Sequence, residues 1–290
     1  MIESQNSRSL QEAAEAFRLL HSSNELFVMP CAWDAFSAMM FEKLGFRCIG
    51  TTSGGVNWVR GRMDYVYSIP KKDMLSAYGE IAQATNLPTS GDLENGYGRS
   101  PEEVAETIQL SVDNRMVGGS IEDQDTVPSS DNGNSGKLID FDLAVARIRA
   151  ARQSADASGI CYTLTARCEV YYTDHEDPYS VAVKRLNAYR EAGADCLFAP
   201  GLNDLTKLGN LVRDVDGPIS FGMGATEQPL TLTMLEDLGV RRVSTGGGLA
   251  RATFGLLKTA SEAILQGGSF DYLDNALSET QVNQILHPTD

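Results

Sequence analysis

Asp92 and Glu94 stand on alternate residues of Gly91-Asp92-Leu93-Glu94-Asn95-Gly96-Tyr97-Gly98, where a short apolar run gives way to glycines. Alternation puts both carboxylates on one face of a strand, and a strand that ends this way delivers oxygen ligands to a hard metal ion at its C-terminal edge. A solvated acid pair is the alternative. A second pair, Glu122-Asp123, closes Gly118-Gly119-Ser120-Ile121, and Arg167 closes Cys161-Tyr162-Thr163-Leu164-Thr165-Ala166. A guanidinium there can grip a carboxylate by two parallel bonds, or else forms a structural salt bridge. Ser53-Gly54-Gly55 offers backbone N–H groups that no side chain obstructs, suited to a carboxylate or an enolate oxygen; an ordinary tight turn is the other reading. Acids and a base at successive strand ends suggest one site, and clustered carboxylates need a cation.

Positioning them requires a repeated scaffold. Apolar and β-branched runs alternate with helix-period segments along the chain, the pattern of βα units around a parallel sheet. Eight strands are expected: Leu26 to Pro30, Arg47 to Thr52, Thr89 to Leu93, Gly119 to Asp123, Tyr162 to Cys168, Cys196 to Ala199, Ile219 to Gly222 and Arg242 to Thr245. Each is followed by a helical pattern, several with proline in the first turn and glycine just past the end. The expected fold class is therefore α/β, a (β/α)8 TIM-type barrel over 25–265, with an N-terminal helix in 1–24 and a C-terminal helical tail, 266–290, for subunit packing. Active sites of such barrels lie at the C-terminal ends of the strands, where all the polar clusters fall.

Two loops exceed the usual βα length, Asn57 to Ser68 and Gln124 to Lys137. The second is rich in turn formers and leaves Glu122-Asp123 directly, so it reads as a lid, with an idle surface insertion as the alternative.

Composition removes other classes. A formal charge of -15 over 290 residues lacks the basic footprint that nucleic-acid binding needs. No apolar run approaches the length of a membrane span, and the segment from Ser4 to Ser22 lacks the apolar core of a signal peptide, so a cytoplasmic chain is expected. Cys31, Cys48, Cys161, Cys168 and Cys196 are scattered singly, without the paired spacing of zinc sites or disulfide frameworks. Only three histidines occur, His21, His175 and His287, and no Ser-His-Asp or Cys-His arrangement can be assembled from the motif-bearing positions.

The run Pro30-Cys31-Ala32-Trp33-Asp34-Ala35, then Gly50-Thr51-Thr52-Ser53-Gly54-Gly55, Asp92-Leu93-Glu94-Asn95-Gly96-Tyr97-Gly98, Gly119-Ser120-Ile121-Glu122-Asp123, Ala166-Arg167 and Gly246-Gly247-Gly248-Leu249-Ala250-Arg251 resembles the isocitrate lyase / phosphoenolpyruvate mutase superfamily in order. The resemblance covers roughly 25–265. It implies an Mg2+- or Mn2+-dependent enzyme that makes or breaks a C–C or P–C bond beside a 2-oxo acid carboxylate through an enolate-like intermediate. Asp92 then matches the direct metal ligand, with Glu94 and Glu122 holding metal waters. Arg167, Glu122 and Asp64 take catalytic positions, and Trp33, Ser53, Gly54, Gly55, Asp92 and Arg167 line the substrate. The resemblance also implies a homodimer or homotetramer in which the final barrel helix or the tail exchanges between subunits.

Departures narrow the branch. The Lys-Lys-Cys-Gly-His loop of isocitrate and methylisocitrate lyases is missing between Gln124 and Lys137, Gln124 replaces the lysine of the phosphonate branch, Ala199-Pro200-Gly201 stands where those branches supply a histidine or an acid, and Cys168-Glu169 replaces Thr-Asp. A reaction needing little proton transfer from the protein fits so sparse an inventory. The expected activity is C–C cleavage or formation beside a 2-oxo or 2-hydroxy carboxylate, for example oxaloacetate-like decarboxylation. A phosphonopyruvate-type mutase or hydrolase and a non-catalytic dicarboxylate-binding barrel are the alternatives.

Overall fold

The computed structural model describes residues 9–64, 67–125, 136–224 and 229–286. Nine strand segments, all paired in parallel, form one ring: β1 (Phe27–Met29), β2 (Cys31–Ala32), β3 (Ile49–Thr51), β4 (Thr89–Asp92), β5 (Gly118–Glu122), β6 (Thr163–Arg167), β7 (Cys196–Phe198), β8 (Ile219–Gly222) and β9 (Arg242–Ser244). Each of the eight expected strands is found. The first is split because Pro30 has no N–H to give the ladder; its carbonyl still accepts from Gly50 at 2.9 Å. Since β1 pairs with β9 and β2 with β3, the two halves of this one strand close the barrel.

The outer layer comprises α2 (Ala35–Lys43), α4 (Lys71–Gln83), α5 (Pro101–Asp113), α6 (Phe141–Ala157), α7 (Pro178–Glu191), α8 (Leu205–Asp214) and α9 (Leu232–Asp237). Their starts are written in the sequence. Ser100 and Glu103 form a reciprocal capping box around Pro101, and Asp177 caps the helix that opens at Pro178. One helix was not expected: α3 (Ser53–Val59) opens within the Ser-Gly-Gly run and takes the first residues of the anticipated Asn57 to Ser68 loop. Glycine disfavours helix, but the Thr52 hydroxyl caps the Gly55 N–H and starts the turn. Of the expected lid, residues 126–135 lie outside the described residues; its stem is an antiparallel bridge between Gln124 and Leu138.

The N-terminal helix α1 (Leu10–Ser22), capped by the Ser9–Glu12 box, closes the other end of the barrel. Ala13, Ala14, Phe17 and Leu20 pack with Phe27, Met29, Cys48 and Val117 in one buried cluster. Gly118 permits this approach, since a Cβ there would meet Phe17 at 2.7 Å and the Thr163 carbonyl at 2.8 Å. Above the plug, Arg242 reaches across the barrel to Ser220 and Thr165 at 3.0 Å each and to His21 Nε2 at 3.3 Å.

His21 is therefore held neutral. Its Nδ1 lies 2.9 Å from the Phe17 carbonyl and must donate, which leaves Nε2 to accept from Arg242. Burial first, and the Arg242 charge second, lower its pKa to about 3. The unfolded chain binds this proton near pH 6.5, so between these values unfolding takes up a proton and stability falls as pH falls. From pH 7 to pH 5 the wild type should lose about 2 kcal/mol more than His21→Gln, measured by urea unfolding. Equal losses would show that His21 does not titrate on unfolding.

At the C-terminus α10 (Gly248–Gly267) and α11 (Glu279–Leu286) are almost wholly solvent-facing. Ala250 is the one buried residue of α10, and Leu256, Leu257 and Leu265 are 63%, 65% and 85% exposed. Among the described residues no helix is long and apolar enough to cross a membrane.

Candidate active site

The ends of β3 to β9 open into a cavity of about 770 Å³. Asp92, last residue of β4, is fixed by its backbone: its N–H donates to Thr51 Oγ1 at 3.0 Å and its carbonyl accepts from Tyr78 Oη at 2.8 Å. Its carboxylate accepts from the Ser53 N–H (3.1 Å) and hydroxyl (2.9 Å) on one oxygen and from Arg167 Nη1 (3.1 Å) on the other. Arg167 closes β6 and meets two further acids, Glu122 through Nη2 at 3.0 Å and Glu169 through Nε at 2.9 Å. One face of its guanidinium lies 5.5 Å from the centre of the Phe198 ring. Glu122, Arg167 and Phe198 are direct register neighbours on β5, β6 and β7, so the strand ends themselves set the spacing.

Among the described residues five carboxylates line this cavity, Asp64, Asp92, Glu94, Glu122 and Glu169, with Arg167 among them. Burial pushes Glu122 well above the ordinary carboxyl range and raises Glu169, against the pull of Arg167 on both. Burial also lifts Glu94 to about 7, although the Tyr97 hydroxyl opposes the rise. Asp64 is raised by burial and then by the Asp92 charge. Burial alone would lower Arg167, but Glu169, Glu122 and Asp92 together override it and hold the guanidinium firmly charged.

Most of the residues expected from sequence meet here. Asp64 lines the cavity, and its Oδ2 would lie 2.7 Å from a Cβ on Gly54, so a side chain there would push the Asp64 carboxylate aside. Glu94 is anchored by Tyr97 Oη at 2.7 Å and the Tyr67 N–H at 3.2 Å.

Three expectations need correction. Trp33 does not line the cavity: its Cβ packs where a Gly55 Cβ would stand, and Trp58 lines the cavity instead. The Gly55 N–H is not free for an anion, because it donates to Thr52 Oγ1 at 3.3 Å as a helix cap. The Ser53 donors face the Asp92 carboxylate, so a substrate carboxylate must displace or share it. The acidic pair Glu122-Asp123 is also divided by strand alternation. Asp123 turns outward to Arg185 (3.1 Å) and Tyr189 (2.6 Å) and accepts from the Glu169 N–H at 2.8 Å, which makes it a strut of the site.

Glu169, Phe198 and Arg251 line the cavity without having been singled out as site residues. For Glu169 the signal was present, since it stands two residues beyond Arg167 and shares its face. His175 is exposed and does not line the cavity.

The donor set fits a hard divalent cation that retains waters. Among the described residues no three His, Cys, Asp or Glu side chains are grouped so that they could together hold a metal ion. Magnesium needs only one or two carboxylates with water completing its shell, and an acid-rich cavity with one central guanidinium leaves negative charge to balance.

The chain matches the model of the phosphoenolpyruvate phosphomutase family over residues 17–265. A protein of Burkholderia cenocepacia J2315 with a known crystal structure, provisionally described as a lyase/mutase, superposes with a TM-score of 0.89 and 38% identity, covering 97% of this chain and 98% of that one. An uncharacterised Mycobacterium tuberculosis protein is 33% identical over 237 residues, 80% of this chain and 81% of its own. An oxaloacetate decarboxylase of Chromohalobacter salexigens is 26% identical over 272 residues, 93% of this chain and 88% of its own.

Proposed function

The chain belongs to the phosphoenolpyruvate phosphomutase family, within the isocitrate lyase / phosphoenolpyruvate mutase superfamily of lyases and mutases, and from this premise we propose that it is an Mg2+- or Mn2+-dependent carbon–carbon lyase acting beside a 2-oxo or 2-hydroxy carboxylate. Oxaloacetate-like decarboxylation is the simplest form of that reaction. The observation that carries the reading is the arrangement at the barrel mouth: the Asp92 carboxylate accepts from Arg167 on one oxygen and from the Ser53 N–H and hydroxyl on the other.

Asp92 would be the direct protein ligand, with Glu94 and Glu122 holding metal waters. A bound cation would polarise the 2-oxo group and offset the charge of the enolate. With Asp92 engaged as a metal ligand, the Ser53 donors and one edge of Arg167, which it now occupies, would be available to hold the substrate carboxylate. Held by that carboxylate, the substrate presents the C–C bond to be broken with its electron pair flowing into the 2-oxo group. Glu122 and Glu169 keep Arg167 charged and oriented. For decarboxylation, water in the open cavity can protonate the enolate, which suits a site that no histidine lines among the described residues.

A screen of 2-oxo and 2-hydroxy acids with Mg2+ should yield metal-dependent release of CO2 or a small 2-oxo acid from at least one compound. Thermal stabilisation by these acids without product would point instead to a dicarboxylate-binding barrel. Five unpaired cysteines, four of them buried, suit a reducing, cytoplasmic setting.

The bare C-terminal face supports a homodimer or homotetramer. Leu256, Leu257, Phe270, Leu273 and Leu277 are each about half exposed or more, and burying several against a second copy offers roughly 1.5–3 kcal/mol each before association entropy is subtracted. Light scattering should give at least a dimer, and removing residues after Gly268 should shift it toward smaller species. A monomer mass for the intact chain would reject this.

A further inference from the structure

The cavity wall is divided by chemistry. Its carboxylates and Arg167 come from the β3–β6 side, whereas the described residues that line it after β7, β8 and β9 are neutral except for Arg251, which is solvent-exposed. Arg242 reaches the cavity only at its floor, where Ser220, Thr165 and His21 engage it. Phe198 forms the edge of the neutral half, where it meets Arg167. Its ring covers one face of Arg167, and its edge sits in a notch left by Gly222, where a Cβ would come within 2.8 Å of the ring. Met223, after β8, and Trp58, packed at Gly247 after β9, extend the apolar lining away from Arg167. The stretches 126–135 and 225–228 contain no Lys, Arg or His to neutralise a second anionic group.

Resting on the lyase reading above, we infer that Phe198, seated against Gly222, is a specificity-determining residue that selects substrates in which any arm beyond an oxaloacetate-like core is uncharged and aliphatic. A further carboxylate placed against this wall would lose water with only the solvent-exposed Arg251 near it, which is costly, whereas an alkyl arm gains by leaving water. The preference is thus for alkyl-substituted 2-oxo or 2-hydroxy acids over polyacids of the citrate type.

Calorimetry on the Mg2+-loaded protein with three probes tests this. Oxalate reports the metal and Arg167 end alone, N-propyl oxamate adds an uncharged arm, and oxalylglycine adds an arm of similar length ending in a carboxylate. N-propyl oxamate should bind about tenfold more tightly than oxalylglycine. Phe198→Ala should weaken N-propyl oxamate by roughly tenfold while oxalate stays within about twofold, and Phe198→Leu, which keeps an aliphatic wall, should retain the preference. Oxalylglycine binding as well as or better than N-propyl oxamate, with the advantage lost in Arg251→Ala, would overturn the inference. So would equal weakening of all three probes by Phe198→Ala, since Phe198 would then serve only to seat Arg167. Failure of oxalate itself to bind would overturn the lyase reading, and this inference with it.

Discussion

Arg167→Met is expected to abolish activity and to lower the unfolding free energy at pH 8 by about 3–5 kcal/mol, the cost of leaving buried charges without their partner. The guanidinium meets Asp92, Glu122 and Glu169 at 2.9–3.1 Å, and the two glutamates are buried. Their folded carboxyls already stand above the ordinary range because of burial, with Arg167 pulling them down. Without Arg167 they rise further, so the folded variant binds protons that the unfolded chain releases. A carboxyl raised on folding favours the native state at low pH and loses that contribution as pH rises. The deficit of Arg167→Met relative to the wild type should therefore shrink from pH 8 to pH 5 in urea unfolding. Arg167→Lys preserves the charge but not the planar fork, so kcat/KM should fall by roughly one to two orders of magnitude, the worth of one charge-assisted bond at ~1.5–3 kcal/mol. Wild-type kinetics in that variant would mean that the arginine is purely structural.

Asp92→Ala should show the opposite balance: stability within about 1 kcal/mol of wild type and activity reduced to background. Deleting one acid from a cavity holding five removes repulsion along with the bonds to Ser53 and Arg167. Divalent-ion dependence should vanish, and an Mg2+ affinity unchanged by calorimetry would refute Asp92 as the ligand. A second effect follows from the hydrogen bonds. In metal-free protein, Asp92→Ala frees the Ser53 donors and Arg167 Nη1, so oxalate should bind more tightly than to metal-free wild type. Asp64→Asn removes a similar charge without freeing those donors and should produce a smaller gain.

The barrel was legible because its strands are short apolar runs ended by glycine or charge, and periodicity alone separates them from the helices. The split at Pro30 was not, although proline's missing N–H accounts for it. Asp92, Glu122 and Arg167 could be placed at one site because strand ends in a closed barrel converge. Asp123 was harder: a pair of adjacent acids reads as a unit in sequence, yet a strand sends one inward and the other to Arg185 and Tyr189. Ser53-Gly54-Gly55 resembles a turn in composition and becomes a helix through one capping hydroxyl and the packing of Asp64 and Trp33 against its glycines. Trp33 and Trp58 could not be told apart as cavity residues, since which of them reaches the cavity depends on that unexpected helix. Phe198 carries no motif, and its place over Arg167 comes from the register of β6 against β7.

Titration of oxalate by calorimetry, with saturating Mg2+ and again in EDTA, tests the central claim most directly, because oxalate mimics the enolate of a 2-oxo acid. One site per chain, binding at least tenfold tighter with Mg2+ and losing that metal dependence in Asp92→Ala, is the expected result. Equal affinity with and without Mg2+ in the wild type, or a metal dependence untouched by Asp92→Ala, would contradict a metal-dependent lyase site built on Asp92, Ser53 and Arg167.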